Sequence, residues 1–421
     1  METCSRAPDT ASPTVPAVPT IPTARPAALP APLSRAAVLL FACASGLSVA
    51  NVYYAQPLLD ALMADFHIGA AAIGGVVTAT QAGCALALLL LVPLGDLLPR
   101  RRLMLAQVLA LAGALAVVAL APSVPVLLAG MLLTGLLGTA MTQGLIAYAA
   151  AAAAPRERGH VVGTAQGGVF AGLLLARVVA GGVSDLAGWR SVYVCAAAAM
   201  LVLALLLWRS LPLLPGPAQR MRYASLVGSM FALLRRDRVL QIRGMIALLM
   251  FAAFNIFWSA LVLPLSAPPY QLSHTAIGAF GLVGAAGALA AARAGRWADQ
   301  GLGQRTTCAA LVLLVAAWLP LSWLGTSLWP LALGIVLLDL GGQAIHVTNQ
   351  SMIFRADATA HSRLVGAYML FYATGSGLGA LAATATYDVA GWRGVCMLGA
   401  GVSLLALLFW AGTRRWMAAR C

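Results

Sequence analysis

Residues 103–155 read LMLAQVLALAGALAVVALAPSVPVLLAGMLLTGLLGTAMTQGLIAYAAAAAAP, 53 positions without one Asp, Glu or Arg. As a single α-helix this stretch would extend about 80 Å, against roughly 30 Å for the hydrocarbon core of a bilayer. It must therefore fold back on itself, and Pro122-Ser123-Val124-Pro125 marks the turn. Working outward, similar uncharged windows recur at 36–59, 68–95, 191–208, 364–387 and 394–413. The window 159–184 is broken only by Arg177. Two more are double length: 244–292, interrupted at Pro268-Pro269, and 306–354, which turns between Gly325 and Pro330 and holds one acid, Asp339. The sum predicts twelve transmembrane helices, six on each side of a polar middle segment.

Composition agrees. Hydrophobic residues make up 61% of the chain and charged ones 9%, with mean hydropathy +0.90. A soluble domain carries about 25% charged residues. A soluble enzyme, a nucleic-acid binder and a disordered chain are excluded as descriptions of the whole. Backbone groups in lipid must pair within their own span, so helices are expected, and the short alternating strands of a membrane barrel are missing. The fold class read here is an all-α membrane protein. Residues 1–33 hold eight of the 22 Pro and lack a signal-peptide core, which predicts a disordered tail. The expected organisation is a six-helix bundle over 34–212, a linker over 213–240, a second bundle over 241–413 and a basic tail over 414–421.

The formal net charge is +14, and all 26 basic residues are Arg. If the N-terminus is cytoplasmic, only Arg177, Arg190 and Arg393 fall outside the tails and cytoplasmic loops. This lopsided placement predicts both termini in the cytoplasm and accounts for the basic charge without nucleic acid. The seven Cys form no CxxC pair, which argues against a disulfide framework or a metal site.

The two halves repeat at an offset of 203: Asp96 with Asp299, Gly138 with Gly341, Gly163 with Gly366, Gly172 with Gly375. Asp185-x-x-Gly188-Trp189-Arg190 recurs as Asp388-x-x-Gly391-Trp392-Arg393. At 204, Asn51-x-Tyr53-Tyr54 faces Asn255-x-Phe257-Trp258. Two parallel six-helix halves around a midplane site are a transporter architecture.

These residues carry a resemblance. The loop Pro93-Leu94-Gly95-Asp96-Leu97-Leu98-Pro99-Arg100-Arg101-Arg102 is similar to the G-x-x-x-D-R-x-G-R-R signature of the major facilitator superfamily. Val92, Leu97 and Pro99 stand where Gly, Arg and Gly are usual. The second copy keeps Gly295 and Asp299. Asn51-Val-Tyr-Tyr-Ala-Gln-Pro-Leu-Leu59 and Leu338-Asp-Leu-Gly-Gly-Gln-Ala344, with Asn349-Gln350, resemble a bacterial branch labelled arabinose-efflux-like or acriflavine-sensitivity-like permeases. The drug-antiporter Arg of the fourth helix is missing. The resemblance implies twelve helices in two pseudo-symmetric bundles, alternating access, and a gating latch at Gly95, Asp96, Arg100, Arg101, Gly295 and Asp299. In that latch Asp96 would meet the start of helix 11 and Asp299 the start of helix 5.

Asp339 is expensive at mid-bilayer, about 2.5–3.5 kcal/mol on insertion scales. Gln343, His346 and Gln350 follow at i+4, i+7 and i+11, which places four polar groups on one helical face. This stripe reads either as a proton-responsive cavity lining or as a protonated or hydrogen-bonded acid, Asp339, that fixes helix 10 against helix 11. Arg177 reads either as snorkelling outward toward Asp185, two turns on, or as an anion contact. Asp185 with Arg190, and Asp388 with Arg393, read as structural helix ends. The resemblance puts the cavity on helices 1, 4, 7 and 10, where Asn51, Tyr53, Tyr54, Gln56, Gln143, Asn255 and Trp258 stand. An amide-and-aromatic lining suits a neutral or weakly charged organic molecule.

The expected function is secondary transport, export of a small organic compound in exchange for protons, with proton-coupled uptake and a non-transporting sensor as alternatives. No nucleotide motif or cofactor is read, and no nucleophile–base or metal cluster. The chain is therefore read as not an enzyme. Its partners are a small-molecule substrate, protons and lipid. It is read as working as a monomer in a bacterial inner membrane. Asp96→Asn is expected to insert normally and lose transport. Full transport with an unchanged access equilibrium in a double electron–electron resonance measurement would remove the latch.

Overall fold

The computed structural model describes residues 33–154, 156–212, 214, 223–325, 327–356 and 361–418. Helix dominates, and the turns fall where the sequence supplies caps or breakers. In chain order the helices are α1 (Arg35–Phe66), α2 (Ala70–Gly95), α3 (Arg100–Ala119), α4 (Val124–Ala152), α5 (Arg158–Ala187), α6 (Trp189–Ser210), α7 (Arg238–Ser266), α8 (His274–Val283 continuing as Ala286–Trp297), α9 (Gln300–Leu321) and α10 (Leu328–Ala356). The run Leu364–Arg414 is broken at Gly391 (φ 59°, ψ −162°), a backbone geometry open to glycine, and so supplies α11 before the break and α12 after it. Ten helices among the described residues are long and apolar enough to cross a membrane; dividing the run at Gly391 and counting the two-piece α8 gives twelve passages. A further helix, Tyr223–Arg236, lies between the halves.

The ends have local causes. Ser34 accepts a hydrogen bond from the Ala37 amide at the start of α1, and Asp237 accepts from Val239 and Leu240 at the start of α7. Each side chain satisfies amides that the first helical turn leaves without a partner. The Pro122–Pro125 stretch does turn the chain between α3 and α4. Gly188 (φ 81°) separates α5 from α6.

The 203-residue repeat reappears as repeated packing. α5 lies on α1 so closely that a Cβ at Gly172 would fall 2.2 Å from the Gly46 carbonyl oxygen. Its mate Gly375 on α11 stands 2.1 Å, by the same measure, from the Leu248 oxygen of α7. Between the bundles the same symmetry holds. α8 meets α5 where a Cβ at Gly278 would fall 2.3 Å from the Arg177 carbonyl oxygen, and α2 meets α11 where a Cβ at Gly74 would fall 2.7 Å from the Ala380 oxygen. Thr78 Oγ1 also donates to the Gly377 oxygen at 2.8 Å. Lipid tails supply no hydrophobic drive for helices to associate, so such small-residue contacts carry the packing.

The bundles are also joined at the end away from the Arg-rich loops. His274, at the start of α8, places Nδ1 2.9 Å from Asp185 of α5 and Nε2 3.0 Å from Asp60 of α1. Asp185 further accepts from the backbone amides of His274 and Thr275 at 3.0 and 2.8 Å. It thus caps a helix of the opposite bundle, where the helix dipole favours negative charge. Asp185 and Arg190, read from the sequence as structural helix ends, have separate partners. Beyond the Gly188 turn Arg190 instead pairs with Asp65 at 2.5 Å and lies 4.4 Å from the Trp189 ring.

Gly278→Val is expected to lower the melting temperature of the purified protein in detergent, because overpacking a close contact costs about 1–3 kcal/mol. Gly113→Val, at a site where a Cβ meets nothing within 4 Å, serves as the control. Equal melting of both variants would show that the α5–α8 contact tolerates a side chain.

Candidate functional site

A cavity of about 500 Å³ lies between the two bundles. Eight helices line it, and in each the 3.6-residue period decides which side chains face inward. On α1, Tyr53 and Gln56, three apart, share the cavity face. Asn51 and Tyr54, also three apart, fall on the opposite face and are buried inside the first bundle, where Asn51 Nδ2 donates to the Leu47 oxygen at 2.8 Å. The expected cavity role of Asn51 and Tyr54 is corrected accordingly. On α7, Asn255 and Trp258 reach the cavity, while Phe257 packs behind them against Trp392.

Gln143 of α4 lines the cavity, as do Asp339, Gln343, His346 and Gln350 in a stripe along α10. His346 Nδ1 lies 3.0 Å from the Tyr368 hydroxyl of α11, and its ring meets Phe251 edge-on. Asp339 is 5% exposed, and its Oδ2 has no hydrogen-bond partner among the described residues. The carboxylate lies against α8, where a Cβ at Gly284 would sit 2.8 Å from Oδ2. Among the described residues no hydrogen bond joins Asp339 Oδ2 to α11.

Arg177 does not snorkel toward Asp185. It turns inward and is 6% exposed. Its Nε donates to Gln56 Oε1 at 2.9 Å, and its guanidinium carbon stands 4.2 Å from the centre of the Trp258 ring and 5.5 Å from that of Tyr53. Gln56 Nε2 in turn donates to Asn255 Oδ1 at 3.4 Å, linking α1 to α7. Asp185 is occupied by His274 and Thr275. Arg177 and Asp339 are thus brought into one cavity, one turn of α8 apart, since Gly281 abuts the Arg177 side chain and Gly284 abuts Asp339.

Several lining residues are ones to which the sequence alone does not point: Tyr372 of α11, Cys84 of α2, and Phe251 and Phe254 of α7. The Tyr372 hydroxyl is hydrogen-bonded to that of Tyr53 across the bundles. No spacing in the sequence marks Tyr372, because its repeat mate is Val169. The Gly281-x-x-Gly284 pair is a signal that the sequence does carry. The cavity runs from Gln56, Arg177 and Trp258 near the joined end toward Leu88, Gln166 and Gln350 near the Arg-rich loops. In the signature loops Arg100 Nε donates to the Gly95 oxygen at 3.1 Å, Arg101 bonds to the Trp208 oxygen, and Gly295 lies against Val347. The side chains of Asp96 and Asp299 lie outside the described residues.

The Major Facilitator Superfamily model matches residues 40–356 and 244–415. The "Uncharacterized transporter YgaY" of Escherichia coli O157:H7 is 43% identical over 379 residues, covering 90% of this chain and 95% of the relative. A solved bacterial homologue of the human lysosomal transporter Spinster, inward-facing and occupied, superposes with a TM-score of 0.71 at 13% identity, covering 90% of this chain and 96% of that one. The nucleoside transporter NupG superposes at 0.70 with 15% identity, covering 89% and 98%. At these identities the solved structures speak for the fold alone.

In a cysteine-free background, Gln350→Cys is expected to react with a membrane-impermeant thiol reagent applied to the Arg-rich side, and Asn51→Cys to stay unreactive. The reverse pattern would misplace the cavity face of α1 and α10.

Proposed function

The chain belongs to the Major Facilitator Superfamily, and from that premise we propose that it is a proton-coupled secondary transporter for a small organic compound, working by alternating access. One observation carries the proton coupling: Asp339 is a buried carboxylate on the cavity wall, with an oxygen that no group among the described residues satisfies. A lone buried charge is costly, and either a proton or a neighbouring positive charge offsets that cost. A group with two such solutions, in a cavity that changes its access, can carry a proton across. Gln343, His346 and Gln350 continue the polar path from Asp339 toward the Arg-rich end.

The moving units are the bundles 34–212 and 241–413, joined through 213–240. The α2–α11 and α5–α8 contacts act as the pivot, and the His274 cluster acts as the seal that must part for the opposite access. Asp96 and Asp299 latch the Arg-rich side in the other state. That side is read as cytoplasmic, in a bacterial inner membrane, and one chain is read as the working unit.

The arabinose-efflux-like resemblance implies export in exchange for protons. A second reading is proton-coupled uptake, and a specific observation favours it. Arg177 and Asp339 share the cavity, so an anion drawn to Arg177 is repelled by ionised Asp339 and accepted once Asp339 is protonated. Substrate and proton then move together.

Proteoliposomes under an imposed pH gradient separate these. Asp339→Asn is expected to abolish gradient-driven accumulation and to leave substrate exchange at equal pH intact. Accumulation unaffected by the change would remove Asp339 from the coupling. The sign of the proton movement on substrate addition distinguishes exchange from co-transport.

A further inference from the structure

We infer that the substrate is an organic monocarboxylate with an aromatic or apolar body, its carboxylate held end-on by the two terminal nitrogens of Arg177. The inference rests on reading the cavity as the transport site, and it names the ligand class.

The guanidinium is presented in one way only. Nε is committed to Gln56 Oε1 at 2.9 Å, and one face is covered by the Trp258 ring, 4.2 Å from the guanidinium carbon. The terminal nitrogens form no hydrogen bond among the described residues, although the side chain is buried and lines the cavity. The free edge of a guanidinium is a planar fork of two N–H donors, which matches the two oxygens of a carboxylate. Gln56 and Trp258 fix the plane of that fork in advance, so little ordering is left for ligand binding to supply. No carboxylate lies within ion-pair distance of Arg177 among the described residues. A buried guanidinium with its terminal edge open on a cavity wall has the geometry of a carboxylate receptor.

The rest of the wall selects the body attached to that head group. Next to the fork stand Tyr53 and Trp258, with Phe254 and Leu174 beyond them. These suit a ring or an alkyl body. Arg177 is the one arginine among the described residues of the lining, and Asp339 stands one helical turn away along α8. A second negative charge on the ligand would have no counter-charge, which argues against dicarboxylates. A cationic ligand would be repelled by Arg177. The titratable groups that face Asp339 across the cavity are Arg177 of α5, Tyr53 of α1, Cys84 of α2 and Tyr372 of α11, together with His346 on α10 itself. From α7 come Asn255 and Trp258, and from α8 Gly281 and Gly284, none of which titrates near neutral pH.

The test uses the full chain in detergent and four matched probes: phenylacetate, 4-hydroxyphenylacetate, phenylacetamide and phenethylammonium. Binding is read by calorimetry and by the rise in melting temperature. At least one carboxylate is expected to bind while its amide and the ammonium do not. Arg177→Gln is expected to weaken that binding about ten- to hundred-fold, the range of a lost charge-assisted hydrogen bond. Arg177→Lys keeps the charge without the fork and is expected to bind between the two. The melting temperature of each variant without ligand reports whether it folds. Binding of the amide or the ammonium as tight as that of the acid would overturn the inference. So would failure of both carboxylates to bind, or undiminished carboxylate binding by a folded Arg177→Gln. Proteoliposome flux separates the two readings. Carboxylate binding without any flux refutes the transporter and leaves the ligand class. Gradient-driven flux of phenethylammonium through the unaltered chain refutes the ligand class and leaves the transporter.

Discussion

Hydrocarbon offers no hydrogen-bond partner, and nearly every feature of this molecule answers to that. Backbone groups are satisfied inside helices, so the chain is helical from α1 to α12. Helices cannot gain by hiding apolar surface from one another in lipid, so they meet through glycines that let carbonyl oxygens and neighbouring backbones come close. The Gly172–Gly46 and Gly278–Arg177 contacts belong to this economy. The same condition makes an intramembrane charge informative. Arg177 and Asp339 are costly to place within the membrane, and both face the cavity between the bundles.

The frame is symmetric and the chemistry is not. Gly172 and Gly375, 203 apart, perform the same packing task in the two bundles. Yet the repeat mate of Arg177 is Ala380, that of Asp339 is Leu136, and that of His346 is Gln143. The charges stand on one helix from each bundle. Under the proposed alternating access, a pair of charges divided in this way would separate as the bundles move, which a pair within one bundle would not. The repeated Asp-x-x-Gly-Trp-Arg motif has diverged in use as well. Asp185 caps α8 and holds His274, whereas in the second copy Trp392 Nε1 bonds to the Leu321 oxygen.

The joined end and the cavity depend on each other. Asp60, Asp185 and His274 tie α1 and α5 to α8. Gln56, just inside them, joins α1 to α7 through Asn255 and orients Arg177 from the same amide. Parting the bundles at this end would break the Gln56–Asn255 contact and with it the fixed plane of the guanidinium. The joining of the bundles and the orientation of Arg177 are in this way properties of one small cluster.

Much of this is legible in the order of residues alone. Fifty-three uncharged residues between Leu103 and Pro155 force a fold-back, Arg placement suggests a sidedness, and the repeat implies two bundles. The Asp339, Gln343, His346, Gln350 spacing marks one face of α10, because helical periodicity is written along the chain itself. Other decisions are tertiary. Asn51 and Tyr54 carry the same residue types as their neighbours on the cavity wall, and only the rotation of α1 against α5 and α6 turns them away. Arg177 could reach outward or inward by length alone; the arrival of His274 from the other bundle takes Asp185, and Gln56 and Trp258 supply the inward partners. Local order sets which residues share a face. Which face meets a cavity is settled by partners far away in sequence, and no spacing within a segment records them.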